Sequence, residues 1–579
     1  MKRSMVFLIL LLLFLLSSCA SQTQERRVQV SVVEVDGVTA EENGLWIEPG
    51  ETAVFRLATE DSYRVTGADY SGEYRLTQEE GGALLELYDV RYPTRVELTV
   101  SGGVRTVTYE PNGADGTPQS IACSVENHLR PNTATNIFSR DGYTLTGWNT
   151  RPDGTGVHIG LGSRATVPPA GLTLYAEWAP WTEEALFTAR RIEGGLAVTG
   201  YTGAEGRVVV PETIAGETVI AIAAGAFQKC GAGEIVLPRT LQTIEADAFQ
   251  NCAMEELTFF DSIESVSDAS FSGCASLATL HINAAEDPYG YRYRRESVYA
   301  DKADLLIEAA GTRKLVFYGG CSMWYNLDSA LIEERFGGEY TVINLGLNGL
   351  VSSYVQMEIM KAFLENGDVL FHAPELCSEK QLLTYMDMDE EDVKLWCGLE
   401  MNYDLFSLVD IRPIDGVFDS LHTYLDLKKA GGRYEDVYLD SEGQSYMSAD
   451  GCLPFERTET TDELADEVRL SEDYFSGGLE ELTRMYRAIA DRGVAVYVSC
   501  GCVNIDAVPE EEQGNTTNVD ALFHRLIIGM DCAVPVSDLA DYIYHTEDFY
   551  DTNYHMLSAA AKENTARWIR DLEAALGDG

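Results

Sequence analysis

Apolar and polar residues alternate with a period of two along the first part of the chain. The alternating runs are broken at glycine-containing pairs such as Asp36-Gly37 and Pro49-Gly50, which favour turns. Alternation of this kind is typical of strands with one buried face. We therefore predict a small antiparallel β-domain over 27–100, most simply a β-sandwich, whose strands lie at 28–33, 52–57, 63–65, 84–87 and 95–100.

A different pattern repeats between residues 183 and 283. Phe227, Phe249 and Phe271 are each 22 residues apart, and each is followed three residues later by a cysteine. A fixed period of this length indicates a solenoid in which each unit buries its apolar face against its neighbours. The pattern resembles BspA-type leucine-rich repeats, and the three cysteines are predicted to stack as buried thiols.

Residues 104–179 contain short apolar runs with paired aromatic residues. Gly147-Trp148 lies in the middle, and Tyr175 and Trp178 lie near the end. Paired aromatic side chains give a small sheet a core, and Asp153-Gly154 is a hairpin turn signal. The segment resembles an internalin-type B-repeat, a β-module of surface proteins, and a spacer role is the alternative to wall contact or adhesion.

From about residue 300, short apolar runs alternate with helix-length segments. Such alternation predicts a parallel sheet covered by helices on both faces, and so a three-layer α/β domain over 301–579. Residues 376–470 form a long acidic insertion, for which we expect a lid or substrate wall. The predicted strands are 315–318, 341–345, 369–372, 494–499 and 534–537, and the predicted helices are 327–336, 354–365, 479–492, 519–530 and 557–576.

Ser322 follows the first of these strands. Gly319 and Gly320 break the strand, so the serine is presented on the turn before a helix, at the carboxyl edge of the sheet. Ligands bind at this edge in open α/β sheets. Two interpretations are open: Ser322 is a nucleophile, or it caps the helix, as serine often does.

The end of the chain supplies partners for a serine nucleophile. Such a nucleophile needs a base to take its proton and a carboxylate to orient that base. His555 and Asp551 offer both, and the turn 346–349 after the second strand offers backbone N–H groups to an oxyanion.

Together these segments resemble the SGNH/GDSL hydrolase family. The resemblance covers about 301–579 and implies a flavodoxin-like domain in which Ser322 is the nucleophile, His555 the base and Asp551 its orienter. It also implies that the N–H groups of Ser322 and Gly349 donate to the oxyanion, with Asn348 in the same turn.

The chain departs from the family pattern at three places. The usual Gly-Asp-Ser is Gly-Cys-Ser here, and three residues rather than two separate Asp551 from its histidine, which leaves Asp548 as a rival orienter. The Gly-x-Asn-Asp block falls on 368–375, which has no asparagine, so Asn348 and His372 are the alternatives for that oxyanion role. Relatives such as the D-alanyl transfer protein DltD also diverge in this block.

The first residues are predicted to be a targeting segment. Lys2 and Arg3 precede an apolar run, 5–16, that is too short to span a bilayer and is typical of a secretory leader. The Leu-Ser-Ser-Cys ending at Cys19 resembles a bacterial lipobox. We therefore expect a signal peptide, 1–18, and an extracytoplasmic protein held to the membrane by a lipid on Cys19.

Charge and cysteine content restrict the function further. The formal net charge of −51 makes nucleic-acid binding unfavourable. Cys500-Gly-Cys502 has no second pair at zinc-site spacing, so we predict neither a metal site nor a cofactor.

The sequence thus predicts a cell-surface lipoprotein with a serine-dependent esterase or O-acyltransferase domain. The expected substrates are acyl groups on extracellular glycans or wall polymers, and the repeats would contact a glycan, a host protein or a surface protein. The alternative is an adhesion or ligand-binding protein whose SGNH-like domain is a scaffold without turnover.

Overall fold

The computed structural model describes most of the chain after residue 26. The predicted leader with Cys19, and the turn residues Asn348 and Gly349, lie outside the described residues. Within the part that is described, no helix has the length and apolar character needed to cross a bilayer. The described residues are 27–32, 37–60, 63–70, 72–79, 81–92, 94–102, 104–124, 132–168, 170–204, 206–285, 298–346, 353–374, 396, 399, 402–429, 451–452, 457–460, 464, 468–470 and 479–577.

The chain divides near residue 104 into two compact units. The first unit contains two four-stranded sheets, in the orders β3-β1-β8-β5 and β2-β4-β7-β6, and one apolar core that includes Phe55 and Leu85. Its strands are β1 Val28–Val32, β2 Val38–Ala40, β3 Leu45–Ile47, β4 Glu51–Thr59, β5 Tyr63–Asp69, β6 Tyr74–Glu79, β7 Gly82–Val90 and β8 Thr94–Gly102.

One pairing in this unit corrects the expectation of an antiparallel domain. Strands β1 and β8 run parallel, with Val30 opposite Thr94. Hairpin turns force neighbouring strands to be antiparallel, but β1 and β8 are connected only through all the intervening strands. No turn therefore sets their relative direction.

The second unit begins with a small five-stranded sheet in the order β10-β9-β13-β11-β12. Trp148 is fully buried at its centre, with Tyr109 and Phe138 edge-on at centroid distances of 4.6 and 6.2 Å. The aromatic residues therefore form the core that the sequence predicts. The strands are β9 Val104–Glu110, β10 Gln119–Ser124, β11 Tyr143–Asn149, β12 His158–Ile159 and β13 Leu172–Pro180.

The solenoid follows, and its strands β16, β19, β21 and β22 pair in parallel. Phe227, Phe249 and Phe271 stack in a ladder with centroid distances of 5.1 and 5.2 Å. Its strands are β14 Phe187–Ile192, β15 Gly195–Tyr201, β16 Arg207–Val209, β17 Thr213–Ile214, β18 Glu217–Ile222, β19 Glu234–Val236, β20 Thr243–Ile244, β21 Glu256–Phe260 and β22 Thr279–Asn283, with 3₁₀ turns at Glu184–Leu186 and Asp268–Phe271.

The three repeated cysteines are present as thiols, and the prediction that they are buried holds only in part. Cys252 is buried, whereas Cys230 and Cys274 are only half-buried. The Cys274 thiol donates to the carbonyl of Phe249 at 3.0 Å, so this position also joins one repeat to the one before it.

The last part of the second unit is an α/β domain with five parallel strands in the order β24-β23-β25-β26-β28. Its strands are β23 Lys314–Tyr318, β24 Thr341–Asn344, β25 Val369–His372, β26 Ala495–Val498, β27 Val503–Asn504, β28 Val534–Pro535 and β29 Ile543–Tyr544. Its helices are α1 Val298–Glu308, α2 Cys321–Asn326, α3 Ser329–Phe336, α4 Ser353–Phe363, α5 Val417–Lys429, α6 Leu479–Ala490, α7 Glu510–Gln513, α8 Thr516–Gly529 and α9 Ser558–Gly577, with 3₁₀ turns at Tyr403–Leu408, Ile505–Ala507, Leu539–Tyr542 and Thr546–Asp548.

The described part of the insertion covers the end of the solenoid. The ring of Phe418, on α5, stacks on Phe271 at a centroid distance of 3.9 Å and extends the ladder. The N–H of Ile411 donates to the carbonyl of Ala278 at 3.0 Å. A solenoid leaves an apolar face open at its last repeat. Residues 403–429 therefore cap the repeats, a role that we did not predict. The expectation of a lid or substrate wall stays a prediction, because most of the insertion lies outside the described residues.

Candidate active site

Ser322 lies in the first turn of α2, which begins one residue before the serine. The N-cap of α2 is Gly320, so the interpretation of Ser322 as the helix cap is wrong. Two glycines allow close backbone approaches around this helix. A Cβ on Gly319 would lie 2.7 Å from the carbonyl oxygen of Ala373, and one on Gly346 would lie 2.5 Å from the backbone nitrogen of Trp324.

His555 and Asp551 lie together on the loop before α9. His555 Nδ1 is 2.7 Å from Asp551 Oδ1. The loop is held by its own hydrogen bonds: the N–H of Tyr550 donates to the carbonyl of His555 at 2.7 Å, and the hydroxyl of Thr552 accepts from the N–H of His555 at 3.2 Å. This turn brings the two side chains together across three intervening residues.

Asp548, the rival orienter, is engaged elsewhere. Its carboxylate accepts the backbone N–H of His545 at 3.0 Å and closes a capping box on Thr546–Asp548. The geometry therefore favours Asp551 as the partner of His555.

The imidazole of His555 lies flat against α2. Its ring is 3.7 Å from the ring of Tyr325, with an angle of 7° between the planes. Tyr325 is three residues after Ser322, so the two share a face of the helix. His555 Nε2 is buried and has no hydrogen-bond partner among the residues that the structure describes. Such a nitrogen is available to accept a proton.

Asn326 fixes the backbone on both sides of His555. Its amide donates to the carbonyl of Tyr554 at 3.0 Å, and its oxygen accepts the N–H of Met556 at 2.8 Å. We did not predict this residue, although its position four residues after Ser322, on the same helix, is a usable signal.

Arg457 makes a second bridge between α2 and the histidine loop. Its guanidinium donates to the carbonyl of Met556 at 3.0 Å and to that of Tyr325 at 2.6 Å. Burial lowers the pKa of Arg457, and the nearby Tyr325 and Asp551 oppose that shift. Arg457 comes from the insertion, and its sequence context offers no signal of this role.

A buried lysine donates hydrogen bonds to the turn after β24. Lys302 Nζ donates to the carbonyls of Asn344 (3.1 Å), Gly346 and Gly451 (3.0 Å), and lies 4.5 Å from the ring centre of Trp324. The Asn344 oxygen accepts the N–H of Gly346 at 2.7 Å. The start of the predicted oxyanion turn is thus held in place.

His372 ends β25, beside Tyr318 on β23. Burial lowers the pKa of His372 to about 3, so the imidazole is neutral at ordinary pH. Its Nδ1 is 2.5 Å from the hydroxyl of Tyr486 on α6, which ties one ring nitrogen to the helix layer.

Two groups of side chains in the α/β domain are of types that can bind metal ions. Burial raises the pKa of Cys500, and the Cys502 thiol donates to the side-chain oxygen of Asn564 at 3.3 Å, so both cysteines are packed as thiols. In the described part of the chain, ligand atoms of Asp520, His524 and Asp538 lie within 4.8 Å of one another. His524 Nε2 is 2.9 Å from the Ser537 carbonyl, and this hydrogen bond accounts for its position.

Comparison with known proteins identifies the repeat modules. Residues 106–177 match the model of the Listeria-Bacteroides repeat domain. Residues 211–290 match the BspA type leucine rich repeat region, in six copies. These matches confirm the two kinds of repeat predicted from the sequence. Both are typical of surface-associated proteins.

Whole-chain similarity is slight. No curated protein matches the chain. One similar solved structure is the crystal structure of the T. pallidum leucine-rich repeat protein TpLRR. It is 19% identical, and the match covers 17% of this chain and 70% of that one with a TM-score of 0.13.

Proposed function

We propose that the α/β domain is a serine-dependent acyl hydrolase or acyltransferase of the SGNH type. The observation that carries the proposal is the hydrogen bonding of the two ring nitrogens of His555. One ring nitrogen is oriented by Asp551, and the other is buried without a hydrogen-bond partner among the described residues, above the helix that carries Ser322. Orientation of one nitrogen leaves the other available as a base.

The strand order supports the same assignment. With β23 as the first strand, the sheet order is 2-1-3-4-5, as in flavodoxin-like domains. Ser322 follows β23, next to the point where the strand order reverses. Ligands bind outside the strand ends at such a point.

In the proposed reaction, Ser322 Oγ attacks the carbonyl carbon of an ester while His555 Nε2 takes its proton. The N–H groups of Ser322 and Gly349, together with Asn348, stabilise the oxyanion. Collapse of the intermediate releases the alcohol, protonated by His555, and leaves an acyl group on Ser322. Water then yields the free acid, or an acceptor hydroxyl yields a new ester.

The proposed substrates are acyl groups on extracellular glycans or wall polymers. This follows from the surface-type repeats and from the proposed lipid anchor at Cys19, which would hold the protein outside the cytoplasm. The membrane contact would be made by that lipid.

Turnover of a short-chain aryl acetate tests the proposal. We expect hydrolysis by the wild type and no hydrolysis above background by Ser322→Ala. Ser329→Ala, at the start of the next helix, is the matched control and should hydrolyse as the wild type does. Equal rates in wild type and Ser322→Ala would reject the serine mechanism.

A second candidate function is adhesion without turnover. Two matched repeat modules favour it, together with the missing asparagine in 368–375. A folded wild type that neither hydrolyses the ester nor reacts with a serine probe, but still binds a surface ligand, would favour this candidate.

A further inference from the structure

A cleft of about 510 Å³ lies in the second unit, well within the size range of small-ligand sites. One wall is the small five-stranded sheet, and the other is the parallel strand face of the solenoid. Asp404, from the described part of the insertion, also lines it. The lining residues that matter for binding are Arg140, Trp178, Arg207, Glu234, Thr258 and Asp404.

The walls are joined by hydrogen bonds. Asp404 accepts the N–H of Gly160 at 2.9 and 3.1 Å. Asn283 accepts the N–H of Leu161 at 2.8 Å and donates to the carbonyl of Thr146 at 3.2 Å. A Cβ on Gly160 would lie 2.3 Å from Asp404 Oδ1, so this contact needs glycine. The cleft is therefore built into the fold.

The charged groups of the cleft are largely neutralised by one another. Arg207 Nε is 2.8 Å from Glu234 Oε1, and His158 Nδ1 is bonded to Glu177. Burial raises the pKa of Asp404, against the opposing effect of its bonds from Gly160. The cleft thus presents paired charges rather than a field of one sign, which disfavours a strongly charged ligand.

Two polar side chains remain available. The hydroxyl of Thr258, a residue that is 6% exposed, and the guanidinium of Arg140, stacked 3.7 Å from the ring centre of Tyr143, have no hydrogen-bond or ion-pair partner among the described residues. Both residues line the cleft, so a ligand hydroxyl can replace the water that would otherwise bond to these two groups.

Trp178 supplies apolar surface to the same cleft. It is half-buried, and its indole N–H already donates to the carbonyl of Pro111 at 2.9 Å. Because the indole N–H is already bonded, Trp178 can contact a ligand only through its apolar ring surface. A flat apolar surface beside polar groups suits a sugar ring, which presents C–H groups on its face and hydroxyls at its edge.

We propose that this cleft is a binding site for a neutral oligosaccharide, with Trp178 against a sugar ring and Thr258 and Arg140 bonded to sugar hydroxyls. The net charge of −51 repels polyanionic glycans, so an uncharged chain is favoured. The site is separate from the residues around Ser322, and its occupancy does not depend on whether that serine reacts.

Direct binding tests the assignment. The probes are cello-oligosaccharides, chito-oligosaccharides and mannan fragments, with hyaluronan fragments as the acidic comparison, titrated into the purified protein by calorimetry. We expect binding of at least one neutral probe, weakened about tenfold or more by Trp178→Ala. Thr258→Val, which keeps the side-chain shape and removes the hydroxyl, should weaken it about two- to tenfold.

Trp178→Phe keeps an apolar ring if Trp178→Ala does not fold, and it should retain most of the affinity. Three results would each overturn the proposal: no neutral probe bound up to about 10 mM, binding of the acidic probe alone, or unchanged affinity in folded Thr258→Val and Trp178→Ala. Because the readout is binding, failure here leaves the esterase test unaffected.

Discussion

The phenylalanine ladder and the histidine loop bury aromatic rings in two different ways. In the solenoid, Phe249 stacks between two equivalent phenylalanines supplied by the same position of adjacent repeats. In the candidate site, His555 stacks on Tyr325, which is 230 residues away in sequence and does not belong to a repeat. The ladder is maintained by repetition, whereas the site depends on a few individual hydrogen bonds.

This difference predicts where each region is sensitive. Removal of a ring from the ladder should lower stability and leave the chemistry of the folded protein intact. Removal of a bond from the site should lower the turnover of the folded protein as well. The variants below test that separation, from the largest expected effect to the smallest.

Asp551→Asn should have the largest effect. Loss of the carboxylate leaves His555 in the wrong tautomer, and turnover of an aryl acetate should fall about a thousand- to ten-thousandfold. Asp548→Asn, on the same loop, removes a charge but keeps an oxygen that can accept the His545 N–H, and it should retain most of the turnover. A greater loss in Asp548→Asn than in Asp551→Asn would assign the orienting role to Asp548.

Phe249→Ala should reduce the free energy of unfolding by about 3–5 kcal/mol, because it leaves a cavity between two stacked rings. Chemical denaturation followed by circular dichroism measures the change, with the exposed Gln242→Ala as the control. The fraction of the variant that remains folded should hydrolyse ester at the wild-type rate. A loss of turnover in folded Phe249→Ala would show that the two regions are coupled.

Asn326→Leu should reduce stability by about 1–3 kcal/mol, because it leaves the N–H of Met556 and the carbonyl of Tyr554 without their partner. Turnover should fall by about ten- to a hundredfold as His555 loses its position. Asn149→Leu is the matched control, since buried Asn149 donates to Glu177 at 2.8 Å in the small five-stranded sheet. Equal losses of turnover in the two variants would contradict the positioning role of Asn326.

Phe418→Leu should have the smallest effect, about 0.5–1.5 kcal/mol of stability, from the loss of one aromatic stack at the end of the ladder. Phe271→Leu, whose ring has neighbours on both sides, should cost more in the same denaturation experiment. If Phe418→Leu cost nothing, the insertion would not stabilise the solenoid.

The regular parts of the fold could be predicted because their signals are local. The 22-residue spacing of Phe227, Phe249 and Phe271 indicates the ladder directly. Strand β25 has the predicted bounds, since a short apolar run between breakers has little freedom. The parallel β1–β8 pair was missed, because its direction depends on the path of the whole domain.

The candidate site could be predicted only in part. Ser322, Asp551 and His555 belong to short recognisable segments. Asn326, Lys302 and Arg457 act through backbone carbonyls and N–H groups, which any sequence provides, so no side-chain pattern reveals the partner. The capping role of α5 was missed because the solenoid end and the helix are distant in sequence.

The most direct test of the central claim is covalent labelling of the purified protein with a fluorophosphonate probe, followed by digestion and mass mapping. We predict one modified residue, Ser322, with labelling lost in Ser322→Ala and strongly slowed in His555→Ala. Modification at another serine, or no modification of the folded wild type, would contradict the claim that Ser322 and His555 form a working nucleophile.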